Sequence, residues 1–235
     1  SIISTGNVTA TLDFSNVTNV EQAVLSADST GAIDLDLGAV AATDSEPATF
    51  LVDASVVKTS TGTLTFNKSD NASAAMATVF TVKGTVNADT VYGGYQGDTI
   101  TGNGGADRLY GEEGADTITG GSGADSISGG AGADNLTAAG GADTILGGAG
   151  NDTISAGDGV DLVTGGAGKD TITLGAGADT YIAAAITDSA GANYDVITDF
   201  VSASDNIRIT HTFTAATTFA ATDRGNTASD GTLPG

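Results

Sequence analysis

Eleven aspartates stand at a fixed spacing of nine residues: Asp89, Asp98, Asp107, Asp116, Asp125, Asp134, Asp143, Asp152, Asp161, Asp170 and Asp179. Two residues after each stands an apolar one: Val91, Ile100, Leu109, Ile118, Ile127, Leu136, Ile145, Ile154, Val163, Ile172 and Tyr181. Carboxylates in such register could solvate turns, serve as glycosidase pairs or ligate metal ions. Aspartate is common in turns, but turn chemistry does not demand the same residue at every turn of a long run. Glycosidase pairs are local, whereas this series is a ladder, and regular stacking makes its members ligands. The donors are oxygen only. The chain has no Cys and a single His, His211, outside the series. That set favours calcium over zinc or copper.

The elements that must position these carboxylates follow from their neighbours. Before each aspartate runs a glycine-rich loop, such as Gly120-Gly121-Ser122-Gly123-Ala124-Asp125. Glycine at the first, second and fourth loop positions is expected to let the backbone turn through positive φ. The next three residues, such as Ser126-Ile127-Ser128, suit a short strand with its middle side chain inward. One nonapeptide is therefore a turn and a strand. Two make a coil of eighteen residues with strands on opposite faces. Inward apolar residues of successive coils then stack into a thin two-sided ladder, each coil relying on its neighbours as in any solenoid.

The same geometry stacks the aspartates in two columns. One holds Asp98, Asp116, Asp134, Asp152 and Asp170, the other Asp89, Asp107, Asp125, Asp143, Asp161 and Asp179. Coils about 4.8 Å apart bring carboxylates into repulsion of roughly 3 kcal/mol per pair at an effective dielectric near 20. Summed down both columns, that exceeds the stability of a typical domain. Arg108 and Lys169 are the only basic residues inside the repeats. Divalent cations between successive loops would cancel the repulsion, with loop carbonyls as the remaining ligands. The expected carbonyls are those of Gly93, Gly102, Gly111, Gly120, Gly121, Gly123, Gly129, Gly130, Gly132, Gly141, Gly147, Gly148, Gly150, Gly159, Gly165, Gly166, Gly168 and Gly177. Nine interloop gaps allow up to nine ions, with weakness at the ends. The loop at 84–89 reads as a lead-in turn. Gln96, Glu112-Glu113, Ala138-Ala139 and Asp158 mark further irregular loops.

The run matches the nonapeptide G-G-x-G-x-D-x-U-x. On these residues the chain resembles the RTX (repeats-in-toxin) family of secreted bacterial proteins. The resemblance is strong over 84–182, partial over 183–210 and absent from the first eighty residues. It implies an all-β fold: a right-handed parallel β-roll (β-helix) of nonapeptide repeats binding Ca2+. After Tyr181 the register breaks. Tyr194-Asp195-Val196-Ile197-Thr198-Asp199-Phe200 and Asp205-Asn206-Ile207-Arg208-Ile209 are similar to the D-x-I-x-D-F…D-x-I pattern that closes RTX rolls. By position, Asp195, Asp199 and Asp205 become cap residues with one more candidate ion, and Phe200 covers the open core. A plain strand–turn–strand with surface aspartates is the alternative.

Three regions are expected: 1–83, β-rich; 84–182, the calcium-binding roll; and 183–235, cap and tail. In the first, Thr9–Phe14, Ala32–Leu37 and Gly62–Phe66 alternate apolar and polar residues, and 50–54 and 79–83 read as further strands. Val20–Ala27 looks weakly helical. Val17-Thr18-Asn19-Val20-Glu21 resembles "NVE" stretches of β-solenoid surface-layer and adhesin proteins. The region is expected to be a stacked β-solenoid feeding the roll, with a separate β-sandwich as the alternative.

Composition narrows the function. The formal net charge is −22, from 29 acidic and 7 basic residues. That argues against nucleic acid, whose phosphates need a basic surface, and against adsorption to anionic lipid. No apolar run approaches a membrane span. The absence of Cys fits export without disulfides. No H-E-x-x-H, Cys nucleophile or G-x-S-x-G elbow is present. Gly102-Asn103-Gly104-Gly105 lacks the Lys-Ser/Thr that a phosphate loop needs. A non-enzymatic, extracellular protein at the surface of a Gram-negative bacterium is expected, exported by the type I route that the resemblance implies. Three classes stay open: a calcium-dependent, self-assembling surface-layer (S-layer) protein; a module of an RTX adhesin; or the C-terminal secretion and folding domain of an exoenzyme or toxin. The Thr/Ala/Gly/Ser-rich, Lys-poor first region is similar to calcium-dependent surface-layer proteins and favours the first. The expected partners are further copies of the chain and cell-surface polysaccharide.

Overall fold

The structure, a computed structural model, describes residues 2–4, 10–11, 22–25, 33–36, 49–54, 64–67, 79–183 and 194–209. Every described element is a strand, and no helix occurs among these residues. Successive strands alternate between two sheets of ten strands each, and all pairings are parallel. The architecture is a parallel β-roll, as the repeat implies.

Pairing follows the eighteen-residue period. Ile118 lies beside Ile100 on one side and Leu136 on the other. On the opposite face Ile127 lies between Leu109 and Ile145. The strand Thr117–Ser122 shows why the ladder forms. Its Ile118 and Gly120 are buried, while Thr117 is exposed and Thr119 half-buried. The eleven inward residues from Val91 to Tyr181 are all buried, the most exposed being Tyr181 at 6 %. β-branched side chains pack well on such a pleated surface, and parallel strands buried on their inner face read as repeated Ile, Val and Leu.

The strands run longer than the three residues expected. Thr117–Ser122 has 6 residues and Asn135–Gly141 has 7, because the loop keeps pairing with the next coil: Gly121 with Ala139, Ser122 with Gly140.

The earlier strands join the same two sheets. Ile2–Ser4, Gln22–Leu25, Thr49–Asp53 and Val79–Lys83 pair in order and lead into Thr99–Gly104. Ala10–Thr11, Ile33–Asp36 and Leu64–Asn67 do the same into Thr90–Gly94. Val52, Ala54, Phe80 and Val82 continue the core. Lys83 Nζ lies 3.6 Å from Asp53 Oδ2 across neighbouring coils, a pair whose exposed lysine keeps its worth small. One expectation is corrected: Gln22–Leu25 is a strand, not a weak helix. It pairs with Ile2–Ser4 on one side and with residues 51–53 on the other, and those partners override local propensity. The segment 17–21 lies outside the described residues.

Candidate metal centres

All eleven repeat aspartates are buried, none more than 3 % exposed. Each stands at the end of a loop, pointing inward, and the structure gathers them into the two expected columns. The two carboxylate oxygens have different roles. Oδ1 staples coils together: from Asp107 to Asp179 it accepts a hydrogen bond from the main-chain N–H of the aspartate eighteen residues earlier, and Asp98 Oδ1 accepts one from Phe80 N at 2.7 Å. The bonds from Asp89 N to Asp107, Asp98 N to Asp116, Asp107 N to Asp125 and Asp116 N to Asp134 measure 2.7–2.8 Å. The series continues to Asp161 N on Asp179 Oδ1 at 2.9 Å. This staple was missed in the sequence, where the carboxylates were weighed as ligands and not as acceptors for their own column.

Oδ2 is the oxygen left for an ion. In Asp107, Asp116, Asp125, Asp134, Asp143, Asp152, Asp161 and Asp179 it is buried and accepts no hydrogen bond. A buried anionic oxygen without a donor is costly, a cost that a cation, or a proton on the carboxyl, would offset. Main-chain carbonyls point to the same place. A Cβ built on Gly93 would stand 2.7 Å from both Asp98 Oδ2 and Gly111 O, and one on Gly120 would stand 2.9 Å from Ala138 O beside Asp125 Oδ2. The first-position glycines Gly84, Gly93, Gly102, Gly111, Gly120, Gly129 and Gly147 thus lie against a cradle formed by their own aspartate and a carbonyl of the next coil. The carbonyls of Gly102, Gly111, Gly120, Gly129, Gly147 and Gly165 take that place. Among the described residues no three His, Cys, Asp or Glu side chains meet at one point. An ion here would be held by a carboxylate oxygen and carbonyls, a donor set that fits hard, oxygen-seeking calcium. Bound, it would supply positive charge between carboxylates that otherwise repel.

The glycines divide by role. Positive φ falls at the second and fourth positions, as at Gly121 (120°) and Gly123 (132°). Asn103, Glu112 and Ala139 adopt it at the second position without being glycine, with φ of 77°, 77° and 82°. The expectation of positive φ at the first position is corrected: Gly93, Gly102, Gly111, Gly120, Gly129, Gly147 and Gly165 do not adopt it. Those glycines are required by space, because a side chain would enter the cradle. Of the other expected carbonyls, those of Gly123, Gly132, Gly141, Gly148, Gly150 and Gly159 lie against the glycine of the following coil, and Gly130 O faces Gly148.

Both ends of the columns are closed by protein donors. In the lead-in loop, Thr85 N donates to Asp89 Oδ2 at 2.5 Å and Thr85 Oγ1 to Asp89 Oδ1 at 2.9 Å. At the far end Asp195 and Asp205 take over the staple: Asp170 N donates to Asp195 Oδ1 at 3.1 Å and Asp179 N to Asp205 Oδ1 at 3.3 Å. The Tyr181 hydroxyl donates to Asp195 Oδ2, and Val201 N to Asp205 Oδ2 at 2.8 Å. Asp199 accepts from Leu174 N and Gly175 N, both at 2.8 Å. All three cap aspartates therefore have protein donors on both oxygens. Lys169 Nζ lies 5.5 Å from the centroid of the Tyr194 ring, linking the roll to its cap. Phe200 does not cover the core, being 38 % exposed; Ile197 and Ala183 pack against it instead.

Burial dominates the electrostatics of the columns. Desolvation pushes Asp107 and Asp116 up to about 7; the donated main-chain N–H opposes it, and flanking carboxylates add to it. Asp152 and Asp161 rise to about 6 for the same reasons. Asp125, Asp134, Asp143 and Asp179 are also raised by burial. In an unfolded chain aspartate titrates near 3.9, so between that value and about 7 the metal-free roll binds more protons than the unfolded chain. Its stability rises as pH falls through this window and is lost as pH rises through it. Decalcified protein should therefore gain β signal in circular dichroism between pH 8 and pH 5. An unchanged or falling signal would contradict a column of buried carboxylates.

A family model of the RTX calcium-binding nonapeptide repeat matches four times, at residues 83–118, 110–145, 119–154 and 146–181. No curated protein matches the chain.

Proposed function

We propose that the chain, an RTX calcium-binding β-roll over the matched residues 83–181, is a calcium-dependent extracellular scaffold, a self-assembling component of a bacterial surface layer that does no catalysis. The observation that carries this is the continuity of both sheets from Ile2–Ser4 and Ala10–Thr11 to the last repeat strands. The described strands before residue 84 stack on the roll and continue both of its sheets. Repetitive faces suit assembly, because a contact made once can recur along the rod and between copies.

Calcium supplies the switch. It binds the folded roll and not the unfolded chain, so it shifts the equilibrium by mass action. Where calcium is scarce, inside the cell, the chain stays unfolded for export; where it is plentiful, outside, the chain folds and assembles. Further copies of the chain are the first partner and cell-surface polysaccharide the second. Negative-stain electron microscopy of the purified protein should show ordered arrays in calcium that dissociate in chelator. A protein that stays monomeric at high concentration in calcium would overturn the lattice reading. An adhesin module would then be the reading for a monomer that binds cells, and an exoenzyme tail for one whose gene encodes a hydrolase or toxin domain upstream.

A further inference from the structure

The two columns differ at the one position that borders the ion cradle. In the column of Asp98, Asp116, Asp134, Asp152 and Asp170 the first loop residue is always glycine. In the other column it begins as glycine at 84, 102 and 120, and then becomes Ala138, Ala156 and Leu174. These three side chains are fully buried, at 0 % exposure, and belong to the hydrophobic core.

At the glycines, the space a methyl would need is the space where carboxylate and carbonyl converge. The 2.7 Å from a Cβ on Gly93 to Asp98 Oδ2 and to Gly111 O is closer than side-chain carbons approach oxygen. A methyl and that convergence therefore exclude each other. The methyls of Ala138 and Ala156 lie where the cradles of Asp143 and Asp161 would close onto the next coil. The carboxylates remain: Oδ2 of Asp143 and of Asp161 still accepts no hydrogen bond. An ion there keeps its carboxylate and loses its close carbonyl. Beyond Asp179 the column passes to protein donors, with Asp199 bonded to Leu174 N and Gly175 N.

We infer that the roll has two classes of calcium site, and that the gaps between Asp143 and Asp161 and between Asp161 and Asp179 are the weak class, filled last. This rests on the reading that the roll binds calcium. The glycine-lined column and the first gaps of the other load at low calcium. The C-terminal part of the second column is held by apolar packing until calcium is abundant.

Native mass spectrometry of the full chain across a calcium titration tests this, with the double variant Ala138→Gly/Ala156→Gly and the converse Gly129→Ala. Glycine at 138 and 156 should move two ions from the weak to the tight class, a gain of roughly tenfold or more at each. Alanine at 129, where a Cβ would stand 2.6 Å from Gly147 O, should move one ion the other way. Ions that bind the native chain in one class, with the double variant unchanged, overturn the inference while leaving calcium binding intact. A native chain that takes up no calcium overturns this inference and the proposed function together. If Gly129→Ala does not fold even in saturating calcium, the native titration and the double variant decide alone.

Discussion

Stripped of calcium at neutral pH, the chain should lose the β signal of its repeat region and regain it in millimolar calcium. The reason lies in two terms of the same sign. Neighbouring carboxylates about 4.8 Å apart repel by roughly 3 kcal/mol at an effective dielectric near 20. Each buried Oδ2 without a donor adds about 1–3 kcal/mol of lost solvation, and such oxygens recur from Asp107 to Asp179. The core that opposes them is thin, one inward residue per strand supplemented by small residues such as Ala138 and Ala156. Domains have only about 5–15 kcal/mol of net stability to lose. Folding and ion binding should thus be one transition in circular dichroism, with a calcium midpoint that is steep because each ion bridges two coils. A fully β spectrum in chelator at neutral pH would sink the idea. Recovery of β signal at pH 5 without calcium, by contrast, is what the raised carboxylates require.

Asp125→Asn and Asp134→Asn should act with opposite signs in the two states. Each residue sits mid-column, its Oδ1 stapled to the preceding coil and its Oδ2 in a cradle. In calcium, loss of the charge removes a charge-assisted contact worth roughly 1.5–3 kcal/mol. That raises the calcium midpoint by about tenfold or more. Without calcium the same change removes a repelling charge. It also places an amide N–H where it can donate to the carbonyl of the next coil, Ala138 O for Asp125 and Gly147 O for Asp134. The variants should therefore need more calcium to fold and yet retain more structure than the native chain in chelator. Asp158→Asn, on an exposed loop residue, should change neither. Equal calcium midpoints for all three variants would remove the assignment of Asp125 and Asp134 as ligands.

The sequence by itself determined the period, the inward ladder from Val91 to Tyr181, both aspartate columns and the all-oxygen chemistry of the groups they bring together. It could do so because one residue type recurring every nine positions leaves a single register in which all the apolar residues face inward. The first eighty residues carry no such repeat. There Ile2 pairs with Ala23 and Ile33 with Leu64, spacings that vary from coil to coil and follow from sheet continuation. That is why Gln22–Leu25, helical by local composition, becomes a strand. Tertiary structure also divided the work of each carboxylate, because which oxygen staples and which faces the cradle depends on the coil stacked against it. It turned the first-position glycines from turn residues into space-makers, for the same reason. It closed the ends as well: Thr85 over Asp89, Tyr181 over Asp195, and Phe200 left at the surface. A terminal coil lacks a neighbour on one side, so its donors come from wherever the chain turns back, and no periodicity records that.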